Sequence, residues 1–355
     1  MDSQPSGVED SDGAQSIKNP SPGLVAKDLQ WPPCDQYSGR IGRLRPATDH
    51  DLVAMSKTPD TIQPRPNFFI AGVPKAGTTS LHEYLKQHPQ IFMPDYKEPN
   101  YFVRGNGVEK WEAYLALFKD AGGKKAIGES SAGYCYCAES PGWIKSVLGD
   151  VKIIILLRNP ARRAYSLYGW MVREGYEDAP TFAEALERET ARLHDPVFQA
   201  NCQQFFPDYL YFKTGLYFEQ VSRYFETFGR DRVKIYLFEE FIKQPVAICQ
   251  NVFRFLEVDA GFTPKLELHN EGRIPESIGL QYRLRAELLR RRRFVPRAWR
   301  IRLVERLMER NIRRGSKPQA DQQLLDALTE RYRQDIEKLQ TLLGRNLSGW
   351  MNKAG

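Results

Sequence analysis

Between Phe68 and Leu85 the chain passes from a short apolar run, Phe68-Phe69-Ile70-Ala71-Gly72, into a helical pattern, and the residues at the junction suit an anion. Gly72-Val73-Pro74-Lys75-Ala76-Gly77-Thr78-Thr79 puts glycines where a strand gives way to a helix. The first N–H groups of a helix have no acceptor within it and lie at the positive end of its dipole, so negative charge is stabilised there. Glycine lets phosphate oxygens approach the main chain. Lys75 adds a point charge, and Thr78, Thr79 and Ser80 add hydroxyl donors. A nucleotide triphosphatase loop reads G-x-x-x-x-G-K-[ST]. Here the glycines keep that spacing, but Thr78 stands in the lysine's place and the cation has moved three residues earlier, to position 75. A P-loop kinase or triphosphatase is therefore an alternative that the missing lysine weighs against.

The loop resembles the 5′-phosphosulfate loop of the sulfotransferases that use 3′-phosphoadenosine 5′-phosphosulfate (PAPS), whose form is P-K-x-G-T-T-x-L. Pro74-Lys75-Ala76-Gly77-Thr78-Thr79-Ser80-Leu81 matches it at every fixed place. The resemblance implies PAPS as the donor, Lys75 at the bridging oxygen, and Ala76, Gly77, Thr78, Thr79 and Ser80 with Lys75 around the 5′-phosphate. Sulfuryl transfer, like phosphoryl transfer, is an in-line displacement with charge to be stabilised on the leaving oxygen. The transferred group carries less negative charge than a γ-phosphate, so a lysine and backbone donors suffice, and no metal is expected.

A second motif lies downstream. Arg158 follows the apolar run Val151–Leu157, and Ser166 comes eight residues later, across Asn159-Pro160-Ala161-Arg162-Arg163-Ala164-Tyr165. Arginine offers forked donors that match a phosphate, and Ser166 falls about two turns along the helix that Asn159-Pro160 begins. This resembles the family's R-[ND]-P-x-x-R-A-x-S pattern, which implies that Arg158 and Ser166 hold the 3′-phosphate. His269-Asn270-Glu271-Gly272-Arg273-Ile274-Pro275 resembles the late Gly-Arg loop of many members, which implies a place for Gly272 and Arg273 on the same phosphate. The run from Asp335 to Trp350 resembles the closing segment of bacterial-type members, so the likeness spans about Asn67 to Trp350.

An acceptor hydroxyl needs a base within hydrogen-bond reach. Lys97-Glu98-Pro99-Asn100-Tyr101-Phe102 resembles the K-E-P-x-Y/F-F segment of the carbohydrate-type branch, which implies Glu98 as that base. The small-molecule branch uses a histidine, but His82 and His88 fall on or at the end of the predicted helix and are expected at the surface. The heparan-sulfate-modifying branch often carries G-E-K-[ST]-P; here Gly128-Glu129-Ser130-Ser131-Ala132 puts Ser130 where its lysine stands. That departure weighs against a closely similar glycosaminoglycan site and leaves the donor assignment untouched. A saccharide acceptor is favoured; lipid, tyrosine and small-molecule acceptors stay open.

These residues must be positioned by alternating strands and helices. Strands are expected at Phe68–Gly72, Lys124–Glu129, Val151–Leu157 and Val233–Phe238, with helices from Thr79 to before Pro89, after Asn159, and near Phe182–Leu193, Leu216–Phe228 and Phe241–Leu256. The Val151–Leu157 run is nearly all apolar, as in a strand buried on both faces of a parallel sheet. The fold class expected is α/β: a single P-loop-like domain over 65–355, an open parallel sheet with helices on both faces, plus a C-terminal helical basic segment. Ligands in such sheets bind at the carboxyl ends of the strands, where both motifs fall. Residues 1–64, rich in Ser, Pro, Gly and Asp without periodicity, are expected to form a disordered or loosely packed arm.

Charge is local. The chain carries +7, but Arg283–Arg314 alone holds 13 arginines against three glutamates, leaving about −3 for the rest. A specific nucleic-acid partner is not indicated by so confined a charge. Within that segment Leu284, Leu288, Leu289, Trp299, Leu303 and Leu307 are spaced as amphipathic helices broken at Pro296. Their arginines form either a solvated face or a contact with an anionic surface, in which case a non-catalytic polyanion- or membrane-binding relative is a further alternative. The five cysteines, Cys34, Cys135, Cys137, Cys202 and Cys249, are odd in number and scattered, so a disulfide framework is not expected. Met1–Asp12 is acidic and polar, unlike a secretion signal, and no apolar run reaches the roughly 20 residues a membrane span needs. The expected location is cytoplasmic.

Overall fold

A computed structural model describes residues 63–103, 107–266, 273–289, 297–315 and 321–351. The expectations for the 1–64 arm, apart from its last two residues, and for Gly272 lie outside them.

The chain opens with β1 (Phe68–Gly72), α1 (Thr78–Lys86), β2 (Ile91–Phe92), α2 (Trp111–Ala116) and β3 (Ala126–Ser130). There follow α3 (Ser140–Leu148), β4 (Lys152–Leu157), α4 (Pro160–Arg173), α5 (Phe182–Leu193), α6 (Pro196–Asn201) and α7 (Tyr217–Phe228). The last strand, β5 (Val233–Leu237), leads into α8 (Phe238–Lys243), α9 (Pro245–Phe255), α10 (Ile278–Leu289), α11 (Arg297–Arg314), α12 (Gln322–Leu343) and α13 (Ser348–Met351). The five strands form one sheet in the order β2-β3-β1-β4-β5, and every pairing is parallel. A sheet of this kind is covered on both faces; accordingly every residue of β1, and every residue of β4 after Lys152, is buried.

The expected architecture is thus present; the sheet gains a fifth strand, the two-residue β2 at its edge, and two further details differ. Where one helix was expected over Phe241–Leu256, the chain forms α8 and α9, because Pro245 opens a new helix and has no N–H to continue the old one. The other concerns the histidines, which are buried instead of exposed. His82 Nε2 lies 3.2 Å from the Pro94 carbonyl, and burial, then the charge of Lys97, pushes its pKa down to about 4. His88 packs between the rings of Phe253 and Phe262, with Nε2 2.8 Å from the Asp259 carbonyl. A helix laid on a parallel sheet buries its inner stripe, here with His82, whatever the polarity of single residues on it, and His88, two residues past α1, is covered by the segment around Phe253 and Phe262.

Switching from β3 on one side of β1 to β4 on the other creates a crevice at the carboxyl ends of these strands. The closing segment is tied to the elements around it. Asn159 caps α4 by accepting from the Arg162 N–H at 3.0 Å, as its position predicts, and its amide donates to the Trp350 carbonyl at 3.0 Å. Asp335 of α12 caps α7, accepting from the Tyr217 N–H at 2.7 Å. Tyr217 in turn donates its hydroxyl to the Arg158 carbonyl at 3.1 Å. Among the described residues no helix is long and apolar enough to cross a membrane.

Candidate active site

The phosphate loop is held rigidly at the end of β1. Val73 N–H donates to the Leu156 carbonyl of β4 at 2.8 Å, and Gly77 adopts φ +88° as the residue before α1. Glycine is needed there twice over. The conformation is left-handed, and a Cβ would lie 3.1 Å from the Phe241 ring. No side chain caps α1, so the N–H groups that open it are left to an outside acceptor. The chemistry of this donor set fits a phosphate: free helix amides, the half-buried Lys75 and Ser80, the exposed Thr79 and the buried Thr78.

Arg158 comes to the same place. It leaves the end of β4, its guanidinium packs over the Phe238 ring at 4.5 Å, and Nη1 donates to the Lys75 carbonyl at 2.8 Å. Ser166 is half-buried on α4, two turns further along. Arg163, five residues after Arg158, has a different fate. It is fully buried and donates to the Tyr211 carbonyl at 2.7 Å and to Thr214 Oγ1 at 3.0 Å, bracing α4 from within. Arg273 is exposed and donates to the Arg313 carbonyl at 3.2 Å, and the structure does not join it to Arg158.

Lys75 itself lies 5.8 Å from the centre of the Trp170 ring on α4. Burial, then the charges of Arg173 and Arg158, lowers its pKa from 10.5 to about 8. Trp170, Arg173 and Glu174 were not singled out by the sequence, where they read as an ordinary helix end. They are locked from outside by α10, the first helix of the arginine-rich segment. Arg285 reaches Glu174 Oε2 at 3.0 Å and Gln281 donates to the Arg173 carbonyl at 2.7 Å. The approach is close enough that a Cβ on Gly175, at φ +76°, would meet the Gln281 carbonyl oxygen at 2.6 Å. Part of the basic segment is therefore the wall behind Lys75.

Glu98 projects from a loop anchored on β3, its N–H donating to the Ser130 carbonyl at 3.0 Å. Its carboxylate is partly exposed and meets Lys97 Nζ at 2.5 Å. Two further carboxyls feel its charge, and both are buried. Glu129, at the end of β3, has its pKa pushed up to about 7 by burial, against hydrogen bonds from Tyr134, Ser131 and Tyr114. Asp208 is likewise pushed up to about 7, by burial first and then by the charge of Glu98, with Arg163 and Lys75 opposing. Glu129 could have been noticed as a carboxylate inside a buried strand. Asp208 lies in a short 3₁₀ turn, Phe206–Tyr209, that has no sequence pattern to mark it.

Comparison with known proteins agrees with this geometry. The sulfotransferase domain model matches residues 65–268. The crystal structure of a sulfotransferase from Alicyclobacillus acidocaldarius is 30% identical, with a TM-score of 0.62, covering 81% of this chain and all of that one. Among curated proteins, human heparan sulfate glucosamine 3-O-sulfotransferase 3B1 is 26% identical over 205 residues, 56% of this chain and 48% of the relative. Human bifunctional heparan sulfate N-deacetylase/N-sulfotransferase 3 is 31% identical over 150 residues, 40% of this chain and 16% of the relative. Membrane-associated sulfotransferase kil1 of Dictyostelium discoideum is 34% identical over 110 residues, 30% of this chain and 23% of the relative. The chain thus spans less than half the length of these curated relatives. With more than half of its residues inside the family model and its phosphate loop and Arg158 joined in one crevice, the chain belongs to the sulfotransferase family.

Proposed function

We propose that the protein transfers a sulfuryl group from PAPS to a hydroxyl or amine of a saccharide. The observation that carries the reading is the bond from Arg158 to the Lys75 carbonyl, which makes one cleft of two motifs far apart in the chain. The donor supplies the sulfuryl group and departs as adenosine 3′,5′-bisphosphate. Lys75 and the opening amides of α1, with Ala76 to Ser80, hold the 5′-phosphate and stabilise charge that develops on the leaving oxygen. Arg158 and Ser166 hold the 3′-phosphate. Glu98, whose side chain is steadied by Lys97, takes the acceptor proton.

Support for a saccharide comes from the heparan sulfate relatives and from the Lys97–Phe102 segment. The outer face of α11 adds a second contact. It turns Arg306, Arg310 and Arg314 to solvent around Leu303 and Leu307, which are 41% and 42% exposed. Cationic residues around an apolar midline suit an anionic membrane surface. The activity is tested by incubating the protein with PAPS and a pool of saccharides and following sulfated products by mass spectrometry. Sulfated product is expected with the wild type and is expected to fall by about 10²-fold or more in Glu98→Gln. No product from any saccharide refutes the acceptor class, and full activity in Glu98→Gln removes that residue from the mechanism.

A further inference from the structure

Glu129 is completely buried at the end of β3, next to the loop that carries Glu98, and the mechanism above gives it no role. Its Oε1 accepts from the Tyr134 hydroxyl at 2.5 Å and the Tyr114 hydroxyl at 3.2 Å, and its Oε2 accepts from Ser131 Oγ at 2.7 Å. Two of these donors are themselves acceptors from the Glu98 loop. Ser131 Oγ accepts the Asn100 N–H at 3.0 Å, and the Tyr134 hydroxyl accepts the Phe102 N–H at 3.4 Å. The loop needs such holding, because Glu98 at φ 59° and Asn100 at φ 48° are both left-handed. Residues with a side chain rarely adopt that conformation unless their surroundings enforce it.

The charge state of Glu129 decides which way the network runs. Above its pKa of about 7 Glu129 is ionised and only accepts, and a hydroxyl has one proton to give. Ser131 and Tyr134 must therefore aim their protons at Glu129, which leaves their lone pairs facing Asn100 and Phe102. An amide in its place would donate from one side, turn one hydroxyl around, and set O–H against N–H at the loop.

We infer that Glu129 is a positioning residue for Glu98: through Ser131 and Tyr134 it holds the Glu98–Phe102 segment, with its left-handed Glu98 and Asn100, so that the Glu98 carboxylate faces the acceptor. This rests on Glu98 being the base.

The test is a double-mutant cycle on the full chain with Glu129→Gln and Glu98→Gln, reading kcat, KM and the affinity for adenosine 3′,5′-bisphosphate. Glu129→Gln alone is expected to lower kcat by about 10-fold or more, while nucleotide affinity changes by less than about twofold, because the loop and the nucleotide site are held separately. In the Glu98→Gln background the same change is expected to cost less than about twofold, since the base it positions is already gone. A merely structural role would multiply the two losses. Should Glu129→Gln fail to fold, Ser131→Ala removes one branch, and it is expected to reduce kcat by about threefold or more, again only when Glu98 is present. Full kcat in folded Glu129→Gln or in Ser131→Ala, or equal losses in both backgrounds, overturns the inference. If Glu98→Gln shows its large but measurable loss while the cycle shows no coupling, this inference falls and the general-base reading survives. If Glu98→Gln is itself fully active, both fall together.

Discussion

The Arg158 guanidinium donates to the main-chain carbonyl of Lys75 at 2.8 Å across 83 residues of sequence. The parallel pairing of β1 with β4 brings the ends of these strands side by side, so the loop after one and the arginine after the other share a single crevice. A nucleotide that reached both would be gripped at two phosphates by groups already joined to each other.

Loss of either cation should therefore weaken nucleotide binding. Hydrogen bonds to charged groups contribute about 1.5–3 kcal/mol. Calorimetric titration with adenosine 3′,5′-bisphosphate is expected to show Lys75→Ala and Arg158→Ala each about 10- to 100-fold weaker than wild type. Unchanged affinity in both would refute the donor site.

The lowered pKa of Lys75, about 8, gives that binding a pH dependence. A phosphate prefers the protonated lysine, so above pH 8 binding requires proton uptake. Affinity should fall as pH rises beyond that point, by up to about tenfold per unit. Lys75→Ala should lose this limb and follow a flatter profile, which titrations between pH 7 and 10 would reveal.

Asp208 bears on stability. Its pKa rises on folding from 3.8 to about 7, so the folded state holds the proton more tightly than the unfolded chain. The stability this confers is fully present below about pH 4 and is lost as pH rises towards 7. Asp208→Asn lacks that loss and should gain on the wild type across the window, at no more than about 1.4 kcal/mol per pH unit. Urea unfolding at pH 4, 5.5 and 7 checks it; Glu129 titrates in both proteins and cancels in the comparison. A difference that stays flat with pH contradicts the shift.

For α11, co-sedimentation with phosphatidylserine vesicles at low salt is expected to pellet the wild type. A double Arg306→Gln, Arg310→Gln variant is expected to bind more weakly, by about 1 kcal/mol per arginine removed. A wild type that stays in the supernatant disposes of the membrane contact.

Most of the proposed donor site was legible because its logic is local. A strand, a glycine turn and a helix start follow one another within a dozen residues from Phe68, and a helix start attracts anions whatever surrounds it. The same holds for Asn159-Pro160, whose cap and first-turn proline specify α4 without help from elsewhere. The interruption at Pro245 is equally local, but the apolar spacing on either side of it has the pattern of one continuous helix.

The environment of those residues is another matter. Nothing near Lys75 in the sequence announces Trp170, Arg173 or the brace from Arg285, and nothing near Glu98 announces Glu129 or Asp208. His82 and His88 looked like surface groups because their polarity was visible while the sheet, Pro94 and Asp259 were not.

By itself the sequence determined where groups suited to a phosphate occur and which strands must carry them, since periodicity, capping and turn residues act over a few positions. Only the tertiary structure decided which of those groups meet, which carboxyls lose their water and which arginines become a wall instead of a surface. Burial and electrostatic coupling depend on distances between segments that the parallel crossovers bring together, and no local pattern encodes those distances.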